Sequence, residues 1–133
     1  MNDTLTRPFE ISKQWGHYLN SRNWNYMMTV TFKHDITKRR NELLMIELDK
    51  HLNKINLDKM IFWVIEHTSN NYQTHCHFLI KGKGIDKAVF DFYNSRRLIN
   101  PKFVLTETFN KYEGGAFYVS KYLHRNNVEY GIL

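Results

Sequence analysis

His75 and His77 stand two residues apart in Thr74-His75-Cys76-His77-Phe78-Leu79-Ile80, a run of strand-forming residues. A strand puts i and i+2 on one face, so both imidazoles point the same way, followed by Leu79, while Cys76, Phe78 and Ile80 face an apolar core. Such a pair holds a divalent cation only with a third ligand from elsewhere; without one it is an exposed strand with two incidental histidines. Glu66 is the candidate third ligand. It ends the apolar run Ile61-Phe62-Trp63-Val64-Ile65-Glu66, where a buried carboxylate is costly unless it is paired or binds a cation. A strand end already in solvent would also accommodate it. A hairpin joining the two strands would bring Glu66 to the His75/His77 face. Two neutral imidazoles and one carboxylate leave positions open for water or substrate and suit Mg²⁺ or Mn²⁺ as well as zinc. His67 points to the opposite strand face from Glu66 and ranks below it.

A second group lies near the C-terminus, in Ala116-Phe117-Tyr118-Val119-Ser120-Lys121-Tyr122-Leu123-His124-Arg125. At 100° per residue, Ala116, Val119, Ser120 and Leu123 share one side of a helix, and Tyr118, Lys121, Tyr122 and Arg125 share the other. Helical tyrosines commonly pack in a core, but here a small and aliphatic side is available for that. A phenol attacks phosphorus once its proton is removed or its pKa lowered, and a nearby lysine or metal assists. Lys121, one turn from Tyr118, is placed to steady charge on a transferring phosphate. Tyr122 is one turn from Tyr118 and offers either a second nucleophile or a packing aromatic.

The elements that must hold these groups are legible in order. Phe9 to about Asn20 fits a short helix. Tyr26 to Phe32 alternates Met28, Val30 and Phe32 with Thr29 and Thr31, a strand with one apolar face and one hydroxyl face. Asp35 or Thr37 offers a cap, and Leu44, Leu48, Leu52 and Ile55 mark an amphipathic helix from about Lys38 to Ile55. Met60 to His67 is the near-continuous apolar run of a strand buried on both faces, and Ser69-Asn70-Asn71 is a turn into the histidine strand. Lys81-Gly82-Lys83-Gly84 ends that strand, Asp86 to about Ile99 is a helix stopped by Asn100-Pro101, Phe103 to Phe109 is a strand, and Ala116 to about Leu123 is the last helix. This order predicts an α+β domain with a central, mainly antiparallel, four- to five-stranded sheet flanked by helices.

The bulk numbers agree with one domain over residues 1–133. The chain is 42% hydrophobic, 15% aromatic and 24% charged, a globular composition with a high aromatic share. A formal net charge of +6 favours a polyanionic partner. Cys76 is the single cysteine, which removes an internal disulfide and a thiolate zinc cluster. With no signal-peptide core at Met1-Asn2-Asp3-Thr4-Leu5 and no apolar run near the ~18 residues of a span, the expectation is a cytoplasmic protein with no membrane partner.

His75-Cys76-His77 resembles the His-hydrophobic-His motif of the HUH endonucleases, and Tyr118-x-x-Lys121 resembles the nucleophile motif of their Rep branch, the rolling-circle replication initiators of small viruses, phages and plasmids. Thr29-Val30-Thr31-Phe32 resembles the Rep strand near the N-terminus. The motifs stand in family order and span about Tyr26 to Arg125. The resemblance implies a ferredoxin- or RRM-like HUH nuclease fold and a sequence-specific nick in single-stranded origin DNA. Glu66, His75 and His77 would hold Mn²⁺ or Mg²⁺ against the scissile phosphate. Tyr118 would attack it to give a 5′-phosphotyrosine and a free 3′-hydroxyl for a host polymerase. Tyr118 through Tyr122 also resembles the paired-tyrosine version of some phage initiators. Thr29, Thr31, Lys38, Arg39, Arg40, Lys81, Lys83 and Arg125 are candidate DNA contacts, with Arg96 and Arg97 behind them, although a solvated charged surface also accounts for these cations.

Many viral Reps carry a helicase after the nuclease. Lys81-Gly82-Lys83-Gly84 lacks the GxxxxGK[ST] phosphate loop, so the expectation is no ATPase, strand opening by a host helicase, and rejoining by Tyr122 or by a second copy in a homodimer. The single-strand transposases of the same superfamily typically place glutamine at the fourth position after the tyrosine, which here is Tyr122. Relaxases fit neither in tyrosine position nor in histidine count. A different class is a non-catalytic RNA-recognition-like module in which Tyr26, Phe32 and Phe103 stack bases. A structural protein ranks third.

Overall fold

The computed structural model describes residues 13–67, 74–110, 112, 116 and 128–133. Helix α1 covers 13–20. It is followed by strand β1 (Tyr26–Thr31), helix α2 (Lys38–Asn53), strand β2 (Met60–Glu66), strand β3 (His75–Lys81), helix α3 (Ile85–Ser95), a 3₁₀ turn (Pro101–Phe103), strand β4 (Leu105–Thr108) and strand β5 (Val128–Ile132). The five strands form one sheet in the order β4-β1-β3-β2-β5, every neighbour antiparallel. The architecture is the expected α+β, and the histidine strand β3 is its centre.

Strand periodicity makes the two faces of this sheet different. One face carries Met28, Val30, Phe32, Ile61, Trp63, Ile65, Cys76, Phe78 and Ile80, and α2 and α3 cover it with Leu44, Leu48, Leu52, Ile85, Val89, Phe92 and Tyr93. The second face holds a smaller apolar cluster of Phe62, Val64 and Leu79, closed by Leu19 and Trp24 from the α1 segment and by Ala116. β2 is interior, and Ile61 to Ile65 are all buried, as their unbroken apolar run predicts.

Local chemistry sets the boundaries. Thr37 caps α2, its Oγ1 accepting the Arg40 N–H at 3.1 Å, and the helix ends at Asn53, two residues before the expected Ile55. The expected helix to Ile99 ends at Ser95. There Leu98 N–H donates to Tyr93 O (3.1 Å) and Arg97 N–H to Asn94 O (3.0 Å), with Arg97 left-handed at φ 57°. These are the two bonds of a Schellman stop, made without glycine and therefore hidden from a search for one. The early stop frees Ile99 to bridge Phe32. Phe103 is not in the strand. Asn100 Oδ1 accepts the Lys102 N–H (3.1 Å) and starts the 3₁₀ turn, so β4 begins at Leu105.

β5 had no counterpart in the sequence reading beyond the upper strand count. Val-Glu-Tyr-Gly-Ile alternates poorly and contains a glycine. Gly131 is needed there because a Cβ would stand 2.9 Å from Trp63 Cζ2. No helix among the described residues is long and apolar enough to cross a membrane.

Candidate metal and phosphate site

The strand registers arrange the second face in rows. Thr31, His75, Glu66 and Val128 form one row across β1, β3, β2 and β5. Thr29, His77, Val64 and Tyr130 form the next, and Met27, Leu79, Phe62 and Ile132 the third. The face thus grades from polar at the His75 end to apolar at the end covered by α1 and Ala116. Glu66 lies directly opposite His75, as the hairpin expectation required, and all three candidate ligands share the face and are half-buried.

Each imidazole is held by a threonine on β1. Thr31 Oγ1 stands 3.0 Å from His75 Nδ1, and Thr29 Oγ1 stands 3.0 Å from His77 Nδ1. When Nδ1 carries the proton and donates it to the hydroxyl, Nε2 is the ring nitrogen that bears the lone pair, as at metal-binding histidines supported from their outer shell. The hydroxyls proposed from sequence for DNA contact are therefore engaged with the imidazoles. Sequence reasoning missed this pairing although its signal was present: two threonines at period two on one strand and two histidines at period two on another.

Among the described residues, no group of three or more His, Cys, Asp or Glu side chains is placed to hold a metal ion. Glu66 and the two imidazoles are adjacent in register rather than converged. In donor type and shared face, Glu66, His75 and His77 are the residues that would hold a divalent cation.

Other candidates fall away from the site. Cys76 points into the core, where burial pushes its thiol well above the ordinary value and keeps it protonated. His67 lies beyond Glu66, its Nε2 2.7 Å from Glu129 Oε1. Lys38, Arg39 and Arg40 are exposed at the start of α2, and the loop before them is tied to the histidine strand because the Ile36 N–H donates to Thr74 Oγ1 (3.3 Å). Arg39 also meets Glu42 at 3.8 Å. Lys81 ends β3 and Lys83 follows it, so Lys81 is ~20 Å along the strand from His75. They are not part of the same site. Arg96 is engaged structurally, its Nη1 donating to Phe92 O (3.0 Å) with the guanidinium 3.8 Å from the Phe92 ring centroid.

Tyr118, Lys121, Tyr122 and Arg125 lie outside the described residues. Ala116, two residues before Tyr118, is fully buried in the cluster on the histidine face. Of the aromatics suggested for base stacking on a sheet, Phe32 is fully buried on the core face, Tyr26 packs against that core, and Phe103 sits in the 3₁₀ turn. They form no stacking surface. Compared with protein-family models, with curated proteins and with solved structures, the chain matches none.

Proposed function

We propose that this protein is a metal-dependent endonuclease and strand transferase of the replication-initiator type, which nicks and rejoins single-stranded DNA at an origin through a tyrosine ester. The observation that carries the reading is the polar end of one sheet face. Glu66 faces His75 across the hairpin, His77 follows on the same side, and both Nδ1 atoms are held by threonine hydroxyls. Ala116, just ahead of Tyr118, is buried against that face. A bound Mn²⁺ or Mg²⁺ would supply Lewis-acid polarisation of the scissile phosphate.

The remaining chemistry belongs to the chain. Thr29 and Thr31 hold the imidazoles in one tautomer, and Glu66, His75 and His77 would hold the cation against which the phosphate is positioned. Tyr118 Oη forms a bond to phosphorus as the bond to the 3′ oxygen breaks. The phenol proton ends on that oxygen by way of solvent, giving a free 3′-hydroxyl and a 5′-phosphotyrosine. Lys121 balances charge on the phosphoryl oxygens. Attack of a 3′-hydroxyl on the tyrosine ester reverses these bonds and rejoins the strand, with Tyr122 or a second protomer serving the alternate turn. A host helicase opens the duplex and a host polymerase extends the nick.

The test is a denaturing gel of labelled single-stranded oligonucleotides with the protein in Mn²⁺ or EDTA, wild type beside Tyr118→Phe and Tyr122→Phe. The expected result is a metal-dependent covalent adduct that Tyr118→Phe abolishes. Loss only with Tyr122→Phe would transfer the nucleophile by one turn. No adduct across a library containing the cognate origin would refute the enzyme.

A further inference from the structure

The apolar end of the histidine face carries an open hollow of about 300 Å³ whose lining among the described residues is Gln14, Trp15, Tyr18 and Ile132. Its size sits at the small end of the ~300–1,000 Å³ range of ligand sites, suited to one flat ring system rather than a peptide or helix. Trp15 meets Tyr18 and Tyr130 edge-on at centroid distances of 5.8 and 5.5 Å, so the wall is built of rings fixed against one another. Gln14, among the described lining residues, brings a carboxamide with donor and acceptor together, the group that pairs with a base edge. Arg22 lies against the Tyr18 wall. Its guanidinium is 5.1 Å from the ring centroid and its Nη2 donates to Tyr18 Oη at 3.0 Å. Arg22 also borders a second, smaller cavity with Asn23, Trp24 and Phe109.

We propose that the cavity between α1 and β5 binds one nucleobase of the single strand that the histidine face acts on, making Gln14, Trp15 and Tyr18 a base-reading subsite. This rests on the nuclease reading for the identity of the strand. Ring stacking and an exposed arginine are the two components of single-strand binding, and the carboxamide adds choice among bases. The position agrees: Ile132 lies four residues along β5 from Val128, the neighbour of Glu66, so the base sits ~13 Å from the histidine end. Arg22 beside the cavity neutralises the phosphate of the held nucleotide.

The experiment measures affinity by fluorescence anisotropy in EDTA, so that it needs neither a cation nor Tyr118. The probe is the sequence selected by wild-type protein from a random single-stranded library, together with versions made abasic at each position in turn. Tyr18→Ala is expected to lower affinity roughly tenfold. Gln14→Ala is expected to flatten the preference among the four bases at one position. At that position alone, the abasic strand should bind wild type and both variants equally. Adduct formation in Mn²⁺ is scored beside it. Variants that bind like wild type, or whose losses persist on every abasic strand, overturn the subsite even if adducts form. The expected binding pattern without an adduct keeps the subsite and removes the nuclease.

Discussion

The two faces of the sheet come from the same strands and differ in what they cost. On the core face β1, β2 and β3 present Met28, Val30, Ile61, Trp63, Ile65, Cys76, Phe78 and Ile80, all buried beneath α2 and α3, with Tyr26 partly buried at the edge. On the other face three of the corresponding rows hold Thr31, His75 and Glu66, then Thr29 and His77, before the apolar Met27, Leu79 and Phe62. Half-burying imidazoles and a carboxylate does nothing for folding that valine would not do better. The contrast runs within a single strand: in β3, Cys76 and Phe78 face the core and His75 and His77 face the other way.

The sharpest way to break this contrast is to cut neighbouring residues of β3. Phe78→Ala removes a fully buried ring at the centre of the sheet and is expected to cost about 3–5 kcal/mol by denaturant titration. His77→Ala is expected to change stability by less than ~1 kcal/mol and to abolish the Mn²⁺-dependent adduct. Equal stability losses from the two would erase the distinction. Gly131→Ala comes next. Its Cβ would press on the Trp63 indole, and the expected loss is about 1–3 kcal/mol, with a change in tryptophan fluorescence as the ring shifts. An unchanged melting temperature and spectrum would show that β5 yields freely.

Thr31→Val keeps the shape of β1 and removes the hydroxyl facing His75 Nδ1. The expected stability cost is about 1 kcal/mol. The larger effects should be a mixed tautomer in ¹⁵N imidazole spectra and Mn²⁺ affinity lower by about 10–100-fold, with Thr31→Ser restoring both. A uniform tautomer and unchanged affinity in Thr31→Val would reduce the hydroxyl to packing. The smallest effect concerns Cys76. Its folded-state pKa lies above that of the free thiol, so its contribution to stability is intact below the free-thiol pKa and is lost as pH rises past it. Thiol reagents should therefore label it only as fast as the sheet opens; rapid labelling of folded protein would mean the core face is not sealed.

Most of this arrangement was legible in the sequence because strand periodicity is strict. His75 and His77 at period two, the alternating β1 and the unbroken apolar β2 dictate faces, and an antiparallel pairing of β2 with β3 brings Glu66 within reach of the histidines; the register that sets it opposite His75 is the structure's. Less legible were features set by partners distant in sequence. β5 reads weakly by itself because Gly131 answers to Trp63 and its other strand is far away in the chain. The end of α3 depends on Arg97 taking a left-handed conformation that its residue type does not advertise. Trp15 and Tyr18 fall within the helix expected over Phe9 to about Asn20, and nothing in their spacing marks them as lining a hollow against β5.

The most direct test of the account is an Mn²⁺ titration of protein labelled with ¹⁵N at histidine, watching which imidazole signals the paramagnetic ion broadens. The account requires His75 and His77 to broaden at the lowest Mn²⁺ and together, with Glu66→Gln weakening the effect, His67 to follow them as the neighbour of Glu66, and His51 beneath the core face to broaden least. Broadening centred on His51 or His67, or none at millimolar Mn²⁺, would contradict a cation site on the histidine face.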